Sequence, residues 1–187
     1  MPDGWNEVAD RVFVRRHESW DLNVGLVVGA AGCLVIDTRV SPSQGRELAE
    51  AVRTVTALPW TVANTHAHLD HVLGNSAFTG AAVWAHVRCA EFLRDYGDDR
   101  LRELNDVEGA ELADAAIVVA DRTFEQTATI DLGERAVTLR HLGRGHTAGD
   151  LVVDIPDAAV VFAGDLIREG GTLWFEDAYP LDWPATL

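Results

Sequence analysis

The chain has 187 residues, 48% of them hydrophobic, which is enough for one compact domain with apolar residues on both faces of a sheet. It carries 30 acidic residues against 15 arginines and no lysine, a formal net charge of -15. Such a surface repels phosphate backbones, and no concentrated basic patch offsets it. The composition therefore excludes nucleic acid as the expected partner and leaves a small-molecule substrate.

Membrane insertion and export are also not expected. No apolar run approaches the roughly 20 residues that span a bilayer. The first residues lack the basic and apolar regions of a signal peptide, so we expect a cytoplasmic protein. Cys33 and Cys89 lie far apart and outside any CxxC pattern, which predicts two small apolar core residues in a reducing compartment.

The first half of the chain predicts strands interspersed with helices. Residues 11–16 alternate as a strand does, and residues 22–38 form two β-rich runs around a glycine-bearing turn. A helix opens at Ser41, because apolar residues then recur at helical spacing. Residues 60–64 are a short buried strand that ends where a histidine cluster begins.

The second half continues in the same manner. Residues 81–86 predict a strand, residues 87–95 a helix, and residues 98–115 a more polar, helix-prone stretch. Four β segments follow, at residues 127–132, 136–142, 151–155 and 159–163. This order predicts an α/β protein, with layered sheets and helices outside them.

The last six residues read as the start of a helix. Asp182 is the expected N-cap, and Pro184 stands in the first turn. One turn cannot sustain a helix. We therefore expect residues 1–187 to be a single domain that lacks C-terminal strand and helix elements.

Metal-ligating residues are concentrated in one short segment. His66, His68, Asp70 and His71 fall within six consecutive positions at the end of a predicted strand. Imidazole and carboxylate ligands suit zinc and similar divalent ions. In an extended segment residues i and i+2 share a face, so His66 and His68 can bind the same metal ion. Asp70 and His71 follow after a bend and can bind a second ion. The sequence therefore predicts a metal centre in a loop at a strand's carboxyl end.

Two further loci carry candidate ligands. Glycines flank His146 between two predicted strands, and they let the backbone present the imidazole at a loop tip. Asp165 follows the apolar run 160–163 and a glycine, where an acid is either a helix cap or a ligand. Neither locus is specific by itself.

Together, the HxHxDH segment, the GHT loop and the strand ending in Gly-Asp resemble the metallo-β-lactamase fold superfamily. The resemblance covers nearly the whole chain and implies an αββα sandwich, here with its second half incomplete. It implies that His66, His68 and His146 hold a first metal ion. Asp70 and His71 would contribute to a second, and Asp165 would bridge both. The superfamily usually adds a later histidine, and none follows His146 in this sequence.

The resemblance implies a zinc-dependent hydrolase with one or two ions. A metal-bound hydroxide would attack an ester, thioester, lactone or amide carbonyl, and Asp70 would orient it and shuttle its proton. Two alternatives remain open. One is a mononuclear-iron enzyme like the persulfide dioxygenases of the superfamily, with iron held by His66, His146 and Asp165. The other is a metal-binding fragment that is inactive by itself.

The remaining histidines, His17, His86 and His141, are interpreted as structural or exposed. Aromatic residues near both ends of the chain are candidate pocket walls, although clustered aromatics are more often core or interface residues; they are Trp20, Trp174, Phe175 and Tyr179. Residues 173–187 are expected to expose an apolar patch that includes Leu181, Trp183 and Leu187. Such a patch, together with an unpaired sheet edge, predicts self-association.

Overall fold

The computed structural model describes residues 4–108, 112 and 114–187. Eleven strands in this part of the chain form two sheets. The seven strands of the first sheet follow one another in chain order across it: β1 (Trp5–Ala9), β2 (Val12–His17), β3 (Leu22–Val28), β4 (Cys33–Ile36), β5 (Trp60–Ala63), β6 (Ala82–His86) and β7 (Arg122–Phe124).

The strand pairing in the first sheet changes from antiparallel to parallel at β4. Strands β1 to β4 are joined by hairpins and pair antiparallel, whereas β4 to β7 pair parallel. Parallel neighbours need a crossover connection, and helices supply it here. The carboxyl ends of β4 and β5 therefore lie at the same edge, where Asp37 and the histidine segment follow them.

The second sheet is antiparallel, with strand order β11-β10-β9-β8. Its strands are β8 (Thr127–Asp131), β9 (Ala136–Arg140), β10 (Val152–Ile155) and β11 (Val160–Phe162). Each predicted segment is present, and each strand is one to two residues shorter than expected. Within the described residues β11 pairs with β10 alone.

Four α-helices lie in the described chain: α1 (Pro42–Val55), α2 (Leu69–Val72), α3 (Val87–Glu108) and α4 (Trp183–Thr186). Helix α1 begins where the sequence predicts, because the Ser41 hydroxyl accepts a hydrogen bond from the backbone N–H of Gln44 at 3.2 Å. No helix in residues 4–108 or 114–187 combines the length and the apolar character needed to cross a membrane.

Two apolar layers hold the sheets and helices together. Residues of α1 and α3 pack on one face of the first sheet, with Leu48 and Leu93 among them. The opposite face packs against the second sheet through side chains such as Ile36, Leu139 and Val153. The fold is thus a layered α/β sandwich, as predicted. The outer face of the second sheet contacts α4 through Val152 and Trp183.

Several sequence predictions need correction. The helix predicted at residues 87–95 and the polar stretch after it form one continuous helix to Glu108, and the predicted residues 109–111 and 113 lie outside the described chain. Gly97 does not end this helix, because it lies against Ile117, where a Cβ would be 3.1 Å from the Ile117 side chain. Strands β1 and β7 were not predicted.

The expectations for the C-terminal segment are partly wrong. Asp182 occupies the N-cap position of α4, as predicted, but its side chain makes no capping hydrogen bond and pairs with Arg144 instead. Trp183 is 3% exposed and therefore not part of an exposed patch, whereas Leu181 and Leu187 are 95% and 69% exposed. Cys33 and Cys89 are free and buried, as predicted.

Helix α1 also packs closely on the 3-10 turn Leu73–Ala77, which follows α2. A Cβ at Gly45 would lie 2.5 Å from the Cα of Gly74 and 2.6 Å from its carbonyl oxygen. We predict that Gly45→Ala lowers the free energy of unfolding by about 1–3 kcal/mol, the usual cost of overpacking, despite the better helix propensity of alanine. Urea denaturation measures this change.

The exposed neighbour Arg46 provides the control, since Arg46→Ala changes the same helix without touching Gly74. We expect that variant to remain within about 0.5 kcal/mol of the parent. Equal stability of the two variants would contradict the close packing of α1 against the turn that follows Asp70 and His71.

Candidate metal centre

The three predicted loci meet at one edge of the sandwich. His66 and His68 follow β5, and Asp70 and His71 lie in the single turn of α2 rather than in a loop as predicted. His146 lies in the connection between β9 and β10. Asp165 lies in a 3-10 turn, Gly164–Leu166, after β11.

Three imidazoles form the first donor group. Nitrogen atoms of His66, His68 and His146 lie within 4.8 Å of one another. The His68 Nδ1 and His146 Nε2 atoms are only 2.9 Å apart. His66 and His146 are each 2% exposed or less. This group matches the first set of residues named in the sequence analysis.

The second donor group shares His66 and adds His71 and Asp165, again within 4.8 Å. The His71 Nε2 atom lies 3.4 Å from an Asp165 oxygen and 3.3 Å from an Asp70 oxygen. The other Asp165 oxygen is 3.7 Å from the His146 Nε2 atom. Asp165 therefore lies between the two groups, and all six predicted residues come together.

Hydrogen bonds indicate which ring nitrogen of three histidines faces the centre. His66 Nδ1 contacts the Thr65 hydroxyl at 3.0 Å, His68 Nε2 contacts Asp177 at 3.0 Å, and His71 Nδ1 contacts Asp37 at 2.8 Å. A ring nitrogen that donates outward leaves the other nitrogen with a free lone pair. Each of these imidazoles is thus oriented as a metal ligand is.

Asp37 is a buried hydrogen-bond acceptor that supports the metal-ligating segment. It is 2% exposed and follows β4. Its carboxylate accepts hydrogen bonds from the backbone N–H of Thr65 at 2.8 Å, from the Thr65 hydroxyl at 2.7 Å and from His71 Nδ1. Asp37 lies within the predicted β-rich residues 22–38, and the sequence alone gave it no such function.

Asp150 has a similar function in the loop that carries His146. Its carboxylate accepts from the backbone N–H of Gly145 at 3.0 Å and of Thr147 at 2.9 Å, and from the Thr147 hydroxyl at 2.7 Å. Burial raises the pKa of Asp150, and the hydrogen bonds from Thr147 and Gly145 oppose that rise. The loop is therefore held by its own acidic residue, a function that was not predicted.

Asp177 was missed entirely, because 109 positions separate it from His68, its hydrogen-bond partner. No local motif marks it. Burial opposes ionisation of Asp177, but the hydrogen bond from His68 lowers the pKa of its carboxyl group. An ionised Asp177 fixes the ring orientation of His68.

The imidazoles differ in their proton affinity. Burial, followed by the neighbouring histidines, lowers the pKa of His66 well below its usual range, and burial and His68 lower that of His146 to about 4. Burial also acts to lower the pKa of His71, but the carboxylates of Asp70 and Asp37 more than offset it and raise that pKa well above its usual value. The centre thus offers neutral nitrogen donors beside a position that favours positive charge.

These residues fit a divalent metal ion. The His66 Nε2 atom is buried and has no hydrogen-bond partner among the described residues. Leaving such an atom unpaired costs free energy, which coordination would recover. Imidazole nitrogens with carboxylate oxygens are a donor set that zinc and iron accept.

The other histidines lie elsewhere, as predicted. His17 and His86 are buried, and burial lowers the pKa of each to about 4. His141 lies just beyond β9 and stacks on His86, with ring centroids 3.8 Å apart. These three residues are outside both donor groups.

Three of the four aromatic residues named as candidate pocket walls are largely exposed. Trp20, Trp174 and Phe175 are 47%, 60% and 50% exposed. Tyr179 lines a small cavity of about 90 Å³, together with Ala67 and Asp177. The tip that carries Trp20 is tied to the segment after Asp165, because Asp21 pairs with Arg168 at 2.9 Å.

The contact between His68 and Asp177 generates a prediction. Asp177→Ala should lower the affinity for zinc by about 10-fold, the usual effect of removing a hydrogen-bond partner of a metal ligand. The adjacent, exposed Glu176 is the control, and Glu176→Ala should retain the parent affinity. Titration of the metal-free protein in competition with a chelator measures both. An unchanged affinity in Asp177→Ala would show that His68 does not need this partner.

Comparison with known proteins agrees with the arrangement. A sequence profile described as the Metallo-beta-lactamase superfamily matches residues 20–187. A search of the curated proteins found no match.

Solved structures share the fold. A metallo-beta-lactamase from Pontibacter korlensis is similar with a TM-score of 0.76 and 20% identity, over 97% of this chain and 81% of that one. A metallo beta lactamase from Erythrobacter litoralis gives 0.74 and 21%, over 97% and 80%. TMB-1 gives 0.74 and 24%, over 97% and 80%. Since the profile spans most of the sequence, the chain belongs to the metallo-β-lactamase superfamily.

Proposed function

We propose that this protein is a metal-dependent hydrolase that uses one or two zinc ions to cleave an ester, thioester, lactone or amide of a small molecule. The observation that carries this proposal is the convergence of four imidazoles and two carboxylates at one sheet edge. Membership of the superfamily supports the coarser statement of a metal-dependent hydrolase.

In the proposed arrangement His66, His68 and His146 would hold the first ion. Asp70, His71 and Asp165 would hold the second, and Asp165 lies between the two donor groups. An ion at this position supplies Lewis acidity and brings the pKa of water near 7. The protein needs no serine or cysteine nucleophile for such chemistry.

Asp70 is the proposed catalytic residue. Its carboxylate is 19% exposed and lies 3.3 Å from the His71 Nε2 atom. Burial opposes ionisation, but His71 lowers the pKa of Asp70, so the carboxylate is charged at neutral pH. It accepts a proton from the attacking water and passes it to the leaving group.

A mononuclear iron centre with His66, His146 and Asp165 is the competing proposal. It would leave His68 outside the donor set. The 2.9 Å separation of His68 Nδ1 from His146 Nε2 favours the three-histidine group instead. Asp177 strengthens this argument, because it holds His68 with the Nδ1 atom toward the centre.

Metal analysis followed by a substrate screen tests the proposal. The purified protein is reconstituted separately with zinc and with iron, and hydrolysis of thioesters, lactones, esters and β-lactams is compared with oxygen consumption on a persulfide. We expect zinc binding with hydrolysis. Iron binding with oxygen consumption would establish the alternative. Failure to bind either metal would refute the assignment of these ligands, and binding without turnover would identify an inactive metal-binding chain.

The function of Asp70 yields a separate prediction. Asp70→Asn should lower kcat by roughly 100-fold or more, the scale of losing a positioned acid–base group. The exposed Asp95 lies in α3, and Asp95→Asn serves as a control that should leave kcat unchanged. Steady-state kinetics on a substrate found in the screen measure both. Near-normal turnover of Asp70→Asn at full metal occupancy would exclude Asp70 as the proton acceptor.

A further inference from the structure

We propose that Trp183 is a positioning residue that sets the distance between the two metal-donor groups. Its indole ring fixes His146, and its indole N–H fixes the turn that carries Asp165. This inference rests on the proposed function in so far as both groups hold metal ions. It adds a residue from the C-terminal segment, 37 positions after His146 in the sequence.

The ring of Trp183 supports the His146 loop. The ring centroids of Trp183 and His146 are 5.7 Å apart with an interplanar angle of 57°. The indole and Leu166 together cover Gly145, where a Cβ would lie 2.7 Å from the Leu166 Cδ2 atom and 3.1 Å from the Trp183 Cγ and Cδ1 atoms. The loop can lie this close only because residue 145 has no side chain. Movement of the indole therefore displaces the loop that bears His146.

The indole N–H supports the other group. It donates a hydrogen bond of 3.2 Å to the backbone carbonyl of Leu166, the residue after Asp165. Leu166 and Trp183 are each 3% exposed and belong to one apolar cluster. A buried carbonyl without a donor costs free energy, so this hydrogen bond restrains the turn Gly164–Leu166.

The segment that presents Trp183 is itself attached to the same loop. The backbone N–H of Tyr179 donates to the Gly145 carbonyl at 2.7 Å. The Thr186 hydroxyl donates to the Arg144 carbonyl at 2.8 Å, and the Arg144 guanidinium stacks on Tyr179 at 4.4 Å. Contacts on both sides of Trp183 in the sequence thus restrain its backbone, so its indole can restrain the positions of the His146 loop and of the turn that carries Asp165.

Two substitutions separate the two functions of the indole. Trp183→Phe keeps an aromatic ring against His146 and removes the N–H donor to Leu166. We expect the zinc affinity of the second donor group, which contains Asp165, to fall about 10-fold. This is the lower end of the range for removing a hydrogen-bond partner of a metal ligand. The zinc affinity of the three-histidine group should stay within twofold of the parent. Trp183→Leu removes the ring as well and should weaken both groups.

Trp174 provides the matched control. It is 60% exposed, and its indole N–H donates to the exposed Glu176 at 3.2 Å. Trp174→Phe should leave both zinc affinities unchanged. Chelator-competition titration gives the affinities, and the melting temperature of each metal-free variant reports any general loss of stability.

Hydrogen exchange of the metal-free protein provides a readout that does not depend on metal binding or activity. Trp183→Phe should increase amide exchange in residues 164–167, and Trp174→Phe should not. Unchanged exchange there, or an equal loss of both zinc affinities in Trp183→Phe, would overturn the inference. A parent protein that binds no zinc would refute the proposed function, while the exchange experiment would still decide whether Trp183 positions the turn.

Discussion

The carboxylate of Asp37 holds the segment from Thr65 to His71, which carries four of the six candidate metal ligands. A buried carboxylate is costly unless its oxygens accept hydrogen bonds, and Asp37 accepts three. Two of these come from Thr65 and one from His71, so a single group fixes both ends of the segment between them. Because β4 and β5 are parallel and adjacent, Asp37 and Thr65 reach the edge side by side. The pairing of β4 with β5 thus positions the hydrogen bonds between Asp37 and Thr65, which support the candidate metal-ligating residues.

The same constraint explains the unequal proton affinities of the imidazoles. Asp37 and Asp70 place negative charge around His71, whereas His66 and His146 face other imidazoles in a buried site. Lone pairs on neutral nitrogens that point at one another repel, and protonating all of them would bury several positive charges. One divalent ion between them resolves both problems. Charge compensation of this kind does not distinguish zinc from iron.

The sequence predicted that these six residues lie close together, because the patterns that mark them are local. Four of the six residues fall within six positions, and the others lie in glycine-flanked loops between clear β runs. The layered α/β fold followed from the same alternation of runs. The sequence predicted less where tertiary contacts determine whether a strand or helix forms and where it ends. Strand β7 has only three residues, and helix α3 continues through Gly97, which packs against Ile117.

Partners distant in sequence could not be found by pattern. The sequence did not single out Asp177, and it predicted Trp183 to lie in an exposed apolar patch rather than in a packed one. Their contacts with His68, His146 and Leu166 exist because the segment folds back onto the loop after β9. A segment that contacts three ligand-bearing parts of the chain constrains their spacing, in addition to the hydrogen bonds that Asp37 and Asp150 make within those parts. The geometry of the donor groups therefore depends also on residues to which the sequence alone gave no function.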